Sequence, residues 1–338
     1  LEVELASIKE DRAWADLAVG NVARALEFLD ALYGQVTEPA RRIRIARRLV
    51  RAHFWNGQPG EGLRWADRAL GDAGGEAPAR AQLNLLRGLC LEQLGRAEEA
   101  GTAFLAVLEA GKELESDGLQ ARAHQALALL SLWTGDAGGV HHHAERANEL
   151  STSCGADRVE FWSLWVRATF FGLTGEVDQA LNLIEQAQSV ATRLGSPHLQ
   201  LWAAEILIEH SAATGAWDRG LTIGGHSIAL ADNLGYRAVL PRLLVWTGFV
   251  HIARGDLERA ERLMDRAWEM SVEGADAEGA DVHAYVPAHT GRAALLLARG
   301  EYDEAVDVGV RGLEAADATG YFIWGVHRLL PTLAEAHI

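Results

Sequence analysis

A glycine that returns about every 40 residues constrains the fold of this chain more than any other feature. The steps between successive glycines are 37, 38, 40, 40, 40, 40 and 45 residues. Most of them are followed five positions later by another small residue, and the full set is Gly20, Gly57, Gly95, Gly135, Gly175, Gly215, Gly255 and Gly300. Spacing this regular is typical of tandem structural repeats, in which each unit packs mainly on its neighbours.

Each of these glycines is predicted to end one helix and to begin a tight turn into the next. Glycine adopts the left-handed conformation that closes a helix at little cost. The acidic residue that often follows, as in Gly255-Asp256, suits the N-terminus of a helix. A second glycine about 20 residues after four of these turns predicts another boundary, at Gly155, Gly195, Gly235 and Gly320. Each unit is therefore predicted to hold a helix A, a tight turn, a helix B and a looser turn.

Two turn segments carry a family resemblance. Residues 255–260, Gly-Asp-Leu-Glu-Arg-Ala, and residues 300–305 resemble the turn and second helix of a tetratricopeptide repeat. Gly88 and Gly248, seven positions before a turn glycine, match the small residue in helix A of that motif. The period near 40 rather than 34 is similar to the repeat regions of MalT-like bacterial transcription activators and of related signalling ATPases and cyclases.

The resemblance covers nearly the whole chain and implies its architecture. The expected fold is all-α, a right-handed superhelical solenoid of about eight helix-turn-helix repeats plus a terminal helix, forming a single domain over residues 1–338. In this family the A helices line the concave surface. The resemblance implies less about function, since repeats of this type serve many roles.

The composition limits the classes of partner that this chain is expected to bind. With 47 acidic and 31 basic residues the formal net charge is −16, which disfavours direct nucleic-acid binding because such binding requires neutralisation of phosphates. Cys90 and Cys154 fit neither a disulfide framework nor a zinc motif. No apolar run reaches membrane-spanning length, so we expect a cytoplasmic protein without membrane contact. The chain begins with Leu1 rather than Met, which indicates a piece of a longer multidomain protein.

No motif for catalysis or for a cofactor stands in a supporting context, so we expect no catalytic residue, metal ion or cofactor and no enzyme activity. The run from His141 to His143 is the most conspicuous polar sequence. Successive helical residues point about 100° apart, so only one or two of these rings could reach a common ion. A solvated helix face is the predicted role.

Positions 13, 10 and 6 before a turn glycine share one face of each A helix and are predicted to face the concave groove. They select the candidate binding residues Arg44, Arg47, Arg51, Arg122, Gln125, Trp162, Trp165, Trp202, Glu205, Glu209 and Arg242. A lining that mixes aromatic and charged residues favours binding of a peptide, a partner protein, a neighbouring domain or a small effector. The alternative is a row of amphipathic side chains on a wet groove.

Six arginines within eleven residues form the sharpest local feature: Arg41, Arg42, Arg44, Arg47, Arg48 and Arg51. Like charges at helical spacing repel, and an anionic partner would offset that repulsion. The partner is either an acidic segment of the same chain, with Glu2, Glu4, Glu10 and Asp11, or an acidic peptide, a phosphate-bearing ligand or a neighbouring domain.

The leading functional hypothesis is an interaction and sensor module of a bacterial multidomain regulator. The alternatives are a scaffold without a ligand and an enzyme with an unrecognised site in the groove.

The sequence also gives two local structural expectations. Residues 271–283 are predicted to form a mobile exposed loop unless the preceding helix continues through them, and the helix over 321–338 is predicted to expose Phe322, Leu329, Leu330 and Leu333 and so to favour self-association.

Overall fold

The computed structural model describes residues 11–13, 15–17, 21–72, 77–273, 280–321 and 325–338. All regular structure in these residues is helical, and no strand occurs among them. After helical residues at 11–13 and 15–17, sixteen α-helices follow: α1 (Val22–Gln35), α2 (Pro39–Trp55), α3 (Pro59–Asp72), α4 (Ala77–Gln93), α5 (Ala97–Glu113), α6 (Asp117–Trp133), α7 (Ala137–Cys154), α8 (Asp157–Leu173), α9 (Val177–Arg193), α10 (Pro197–Thr214), α11 (Trp217–Asn233), α12 (Leu240–Ala253), α13 (Leu257–Trp268), α14 (Val282–Arg299), α15 (Tyr302–Thr319) and α16 (Val326–Ala336).

The helices pack as a solenoid. Each helix contacts the next along the chain, so that even-numbered A helices and odd-numbered B helices form successive pairs. The A helices of neighbouring repeats also contact one another, from α2 and α4 through to α14 and α16. Neighbouring B helices make no comparable contacts within the described residues. The A helices therefore form the inner, concave layer, and the all-α solenoid predicted from the sequence is confirmed.

The turn glycines take the conformation that the repeat requires. Seven of the eight have positive φ, from 70° at Gly57 to 89° at Gly175. The eighth, Gly20, lies outside the described residues. The second glycine of the unit behaves alike, with φ of 67° at Gly155. Because an L-residue is strained at these angles, the glycine spacing in the sequence marks the helix boundaries directly.

Small residues allow the A and B helices to lie close together. A Cβ added at Gly88 would lie 2.3 Å from Cε1 of Phe104, and one added at Gly248 would lie 2.5 Å from Cε of Met264. Ala100, five residues after a turn glycine, is completely buried. Each of these close contacts joins helix A and helix B of a single repeat. The small residues therefore recur with the period of the repeat.

The coil closes on itself. The backbone N–H groups of Arg237 and Ala238 both donate to the carbonyl oxygen of Trp55, at 3.0 and 3.1 Å. Trp55 and Arg237 are 182 residues apart, which is about four and a half repeats. Further along, a Cβ at Gly95 would lie 2.3 Å from Cγ2 of Thr319. Successive superhelical turns therefore touch, and the concave surface is enclosed as a channel.

The segment predicted to be a loop is in part helical. After α13 the chain continues as a π-helical turn over Glu269–Glu273, so residues 271–273 follow the alternative in which the helix runs on. Residues 274–279 lie outside the described part of the chain. Asp281 then caps α14, its carboxylate accepting the backbone N–H of His283 at 2.9 Å.

The prediction of an exposed terminal helix is wrong for two of its leucines. Leu329 is fully buried and Leu333 is 8% exposed, whereas Leu330 is 50% exposed. Gly309 and Gly312 on α15 leave the space that the two buried leucines fill. The apolar face of α16 is thus buried against both α14 and α15. Phe322 lies outside the described residues.

None of the helices in the described ranges is both long enough and apolar enough to cross a membrane.

Candidate ligand-binding channel

Four arginines from three A helices converge on one cavity. Helix α2 supplies Arg47 and Arg51, α6 supplies Arg122, and α8 supplies Arg158. The cavity has a volume of about 140 Å³. No aspartate or glutamate is among the described residues that line it. In a chain with a net charge of −16, this is a concentrated basic site.

The electrostatics of the site disfavour the cluster when it is empty. Burial, and after it the charges of Arg122, Arg158 and Arg47 in that order of importance, together lower the pKa of Arg51 to about 10. Burial is also the largest cause that lowers the pKa of Arg47 and of Arg158, and Arg122 contributes to both. The charge of Arg122 therefore contributes to the lowered pKa of all three other arginines.

One donor of the cluster has no protein acceptor. The Nε atom of Arg47 is buried and makes no hydrogen bond within the described part of the chain. A buried donor without a partner costs about 1–3 kcal/mol, and an acceptor supplied by a ligand would remove that cost.

Two further arginines of α2 lie beside this cluster. Arg44 and Arg48 line a shallower pocket beside Arg47 and Arg51. Arg48 Nη2 lies 3.5 Å from a carboxylate oxygen of Asp11, so the acidic partner expected within the chain is present at that point. The other three acidic residues proposed for this role, Glu2, Glu4 and Glu10, lie outside the described residues.

An apolar wall lines the same cavity as the arginines. It is formed by Phe54 and Trp55 at the end of α2, by three leucines of α4 and by Trp162 of α8. Gln82 and Gln125 add side-chain amides to the lining. The cavity thus combines cationic, amide and apolar surfaces within a small volume.

A second cavity of about 120 Å³ continues the first, because Trp55, Arg158 and Trp162 line both. Here the ring of Trp55 stacks on His198 with centroids 4.2 Å apart. Tyr236 lies edge-on to the same indole at 6.2 Å. The carbonyl group of Trp55 closes the coil, so the channel wall and the closing contact are built from the same residue.

Hydrogen bonds fix the aromatic wall. Trp165 Nε1 donates to the carbonyl oxygen of Trp202 at 2.9 Å, and Trp202 Nε1 donates to the hydroxyl oxygen of Tyr236 at 2.7 Å. The ring centroids of Trp162, Trp165 and Trp202 lie 5.3–5.9 Å apart. Buried indoles with satisfied N–H groups form a rigid surface.

A buried ion pair packs against this aromatic wall. Arg242 Nε lies 3.2 Å from Glu205 Oε1, and the guanidinium lies 4.3 Å from the centroid of the Trp202 ring. Burial raises the pKa of Glu205, and the charge of Arg242 opposes this rise. Arg242 lines the second cavity, whereas Glu205 is not among the residues that line either cavity.

Glu209 holds the terminal helix. Its Oε1 accepts hydrogen bonds from Arg328 Nη2 at 2.7 Å and lies 3.2 Å from His327 Nε2. Burial by itself would raise the pKa of Glu209, but hydrogen bonds from His210 and His327 outweigh burial and hold it well below its usual range. Glu209 also lines a small pocket with Trp246 and other apolar residues, separate from the channel.

The histidine run lies on α7. The Nδ1 atoms of His143 and His124 are 2.9 Å apart, and the ring of His141 packs on Phe170 with centroids at 4.9 Å. Three or more His, Cys, Asp or Glu side chains arranged to hold a metal ion do not occur among the described residues.

The structure brings together most of the residues selected by position. The first cavity takes Arg47, Arg51, Arg122, Gln125 and Trp162, and the second adds Trp165, Trp202 and Arg242. The selection by distance from the turn glycine did not include Arg158. Arg158 precedes Trp162 by four residues and therefore lies on the same face of the helix. The selection also missed His198 and Tyr236, because these residues face the channel from the start of α10 and from the loop before α12.

Comparison with known proteins agrees with the fold. The tetratricopeptide repeat family model matches residues 241–266 and 286–308. A Rap protein complexed with competence and sporulation factor is similar with 12% identity and a TM-score of 0.60, covering 99% of this chain and 95% of that chain. NprR in complex with its cognate peptide NprX has 17% identity and a TM-score of 0.53, covering 88% and 84%.

A third similar structure is a signal-transduction ATPase with numerous domains and a tetratricopeptide repeat sensor, from Pyrococcus horikoshii. It has 10% identity and a TM-score of 0.50, and the match covers 92% of this chain and 47% of that chain. No curated protein matches the sequence. At these identities the likeness defines the fold, and the chain is a solenoid of the tetratricopeptide repeat type.

Proposed function

We propose that this chain is the interaction and sensor module of a bacterial signalling or transcription regulator, and that it binds a peptide or a partner segment in the channel lined by its A helices. The observation that carries the proposal is the convergence of Arg47, Arg51, Arg122 and Arg158 on a cavity that no carboxylate of the described residues lines. Such a cluster is costly in the free protein and favourable with an anionic ligand bound.

The similar structures support this class of function. The Rap and NprR structures are each a complex with a peptide or factor, and the archaeal ATPase carries a repeat region described as a sensor. Side-chain amides of Gln82 and Gln125 beside the arginines would suit the peptide bonds of a bound segment. No catalytic step is part of the proposal.

Selection from a random peptide library would test it. Peptides selected on the native protein are expected to lose binding when Arg44, Arg47 and Arg51 are all replaced by Gln, while the protein stays folded with a melting temperature no lower than that of the native protein. The control is Arg219→Gln, which removes an exposed arginine paired with Glu185 on the outer layer. Selection of no peptide above background, or peptides that bind the triple variant equally well, would contradict the proposal.

A further inference from the structure

The first cavity has the size of one side chain rather than of an extended peptide. Its volume of about 140 Å³ is close to that of a cavity that holds a single benzene ring, ~150 Å³. Phe54, Trp162 and the leucines of α4 supply apolar contacts for such a group. An aromatic or branched apolar side chain would fill this space.

The arginines line the same small cavity as these apolar residues. A ligand that fills it must therefore place an anionic group within a few bonds of its apolar group. Arg47 contributes the buried Nε donor that has no acceptor within the described residues. Planar guanidinium groups bind carboxylates in pairs of parallel hydrogen bonds, which satisfies such donors.

The surroundings favour a carboxylate over a phosphate. Phosphate sites commonly use the free backbone N–H groups at a helix N-terminus. Arg47, Arg51 and Arg122 project from within α2 and α6, where backbone N–H groups are already bonded in the helix. Arg158 does lie in the first turn of α8, but that turn also carries the carboxylates of Asp157 and Glu160, both of which pair with Arg193.

We infer that the channel recognises a carboxylate attached next to an apolar ring, as in a peptide that ends in an aromatic residue with a free α-carboxylate. The carboxylate is held by Arg47, Arg51, Arg122 and Arg158, and the ring lies against Phe54 and Trp162. This inference rests on the proposed function and specifies the end of the peptide that the channel holds.

The probe for the test is N-acetyl-L-phenylalanine, compared with its primary amide, which keeps the ring and removes the charge. Binding is followed through the indole N–H resonances of the ¹⁵N-labelled protein. We expect the acid to bind about tenfold more tightly than the amide, since hydrogen bonds between charged groups are worth about 1.5–3 kcal/mol. Equal binding of acid and amide would overturn the inference.

Variants assign the charge to the cluster. Arg122→Gln is expected to weaken binding of the acid about tenfold and to leave binding of the amide within about twofold. Arg219→Gln is the matched control and should change neither. If Arg122→Gln loses helical circular dichroism, Arg158→Gln takes its place. Retention of the preference for the acid in a folded variant of either arginine would overturn the assignment.

Two further probes distinguish the anion. Tighter binding of phenyl phosphate than of the acid would overturn the choice of a carboxylate, and inorganic phosphate binding as tightly as the acid would overturn the role of the ring. Library peptides whose binding survives Arg122→Gln but is lost in the triple variant of α2 would overturn this inference while the proposed function stands. Failure of the library selection with continued binding of the acid would instead contradict the proposed peptide function alone.

Discussion

Arg122 should destabilise the unliganded protein, and its replacement by Gln should raise the melting temperature. Its charge lowers the pKa of Arg47, Arg51 and Arg158, so one substitution removes three unfavourable pairs. For Arg51 the pKa of about 10, against a usual 12.5, corresponds to a cost on the order of 3 kcal/mol for keeping the charge in the folded chain, with burial as its largest cause. Burial of Arg51 remains in the variant, so only the repulsive part is recovered.

The expected gain follows from the number of pairs. Like-charge pairs on a helix surface cost up to about 0.5 kcal/mol each, so three pairs give about 1.5 kcal/mol at low salt. For a chain of this size that is a rise of about 2–5 °C. The gain should shrink in about 1 M salt, where the screening length falls from about 10 Å to about 3 Å.

Thermal unfolding followed by circular dichroism measures the effect, in dilute buffer and again with added salt. Arg122→Lys is the control, because it keeps the charge and should bring no gain. If Arg122→Gln lowers the melting temperature, or if Arg122→Lys raises it equally, then the arginine serves packing and the electrostatic reasoning is refuted.

Three further outcomes are expected. Gly224→Ala should destabilise the fold by about 1–3 kcal/mol because the new Cβ would lie 2.4 Å from a threonine hydroxyl oxygen. The adjacent Gly225→Ala has open space around the new Cβ and should stabilise the fold by up to about 1 kcal/mol. Chemical denaturation of the two variants measures both changes. Leu329→Ala should cost about 2–5 kcal/mol and Leu330→Ala less than about 0.5, and similar melting temperatures for these two would contradict the packing of the terminal helix. Burial, followed by the nearby arginine charge, lowers the pKa of His198 to about 4, so its contribution to stability is complete above about pH 6.5 and is lost as the pH falls towards 4. When the pH is lowered from 7 to 5, the free energy of unfolding should therefore fall by about 1–2 kcal/mol less in His198→Phe than in the native protein. If melting experiments show equal losses of stability in the two proteins, the assignment is refuted.

The sequence predicts those features that one repeat determines by itself. Turn conformation at Gly57 and close helix contact at Gly88 depend on residues within 20 positions, so the period alone reveals them. The inward face of each A helix also follows from helical geometry, which is why most selected residues line the channel. Leu329 was misjudged because its burial depends on the neighbouring helix having glycines at the facing positions, a property of the pair rather than of the segment.

Closure of the coil could not be predicted, because it depends on the summed twist of several repeats. A small change in the angle between neighbouring units, which residue type does not reveal, would separate Trp55 from Arg237. The side chains of His198 and Tyr236 meet the ring of Trp55 across that closure. Their role in the wall is therefore a property of the whole superhelix, whereas the arginine stripe of α2 is visible in a single helix.

The two hydrogen bonds to the carbonyl of Trp55 limit how this protein can change its length. Repeat proteins usually grow or shrink by duplication or loss of a unit, since each unit contacts only its neighbours. Here one additional unit between residues 58 and 236 would carry Arg237 past its acceptor and remove the aromatic wall from the channel. That stretch is expected to behave in evolution as an indivisible block, with gain or loss of repeats confined to the sequence on either side.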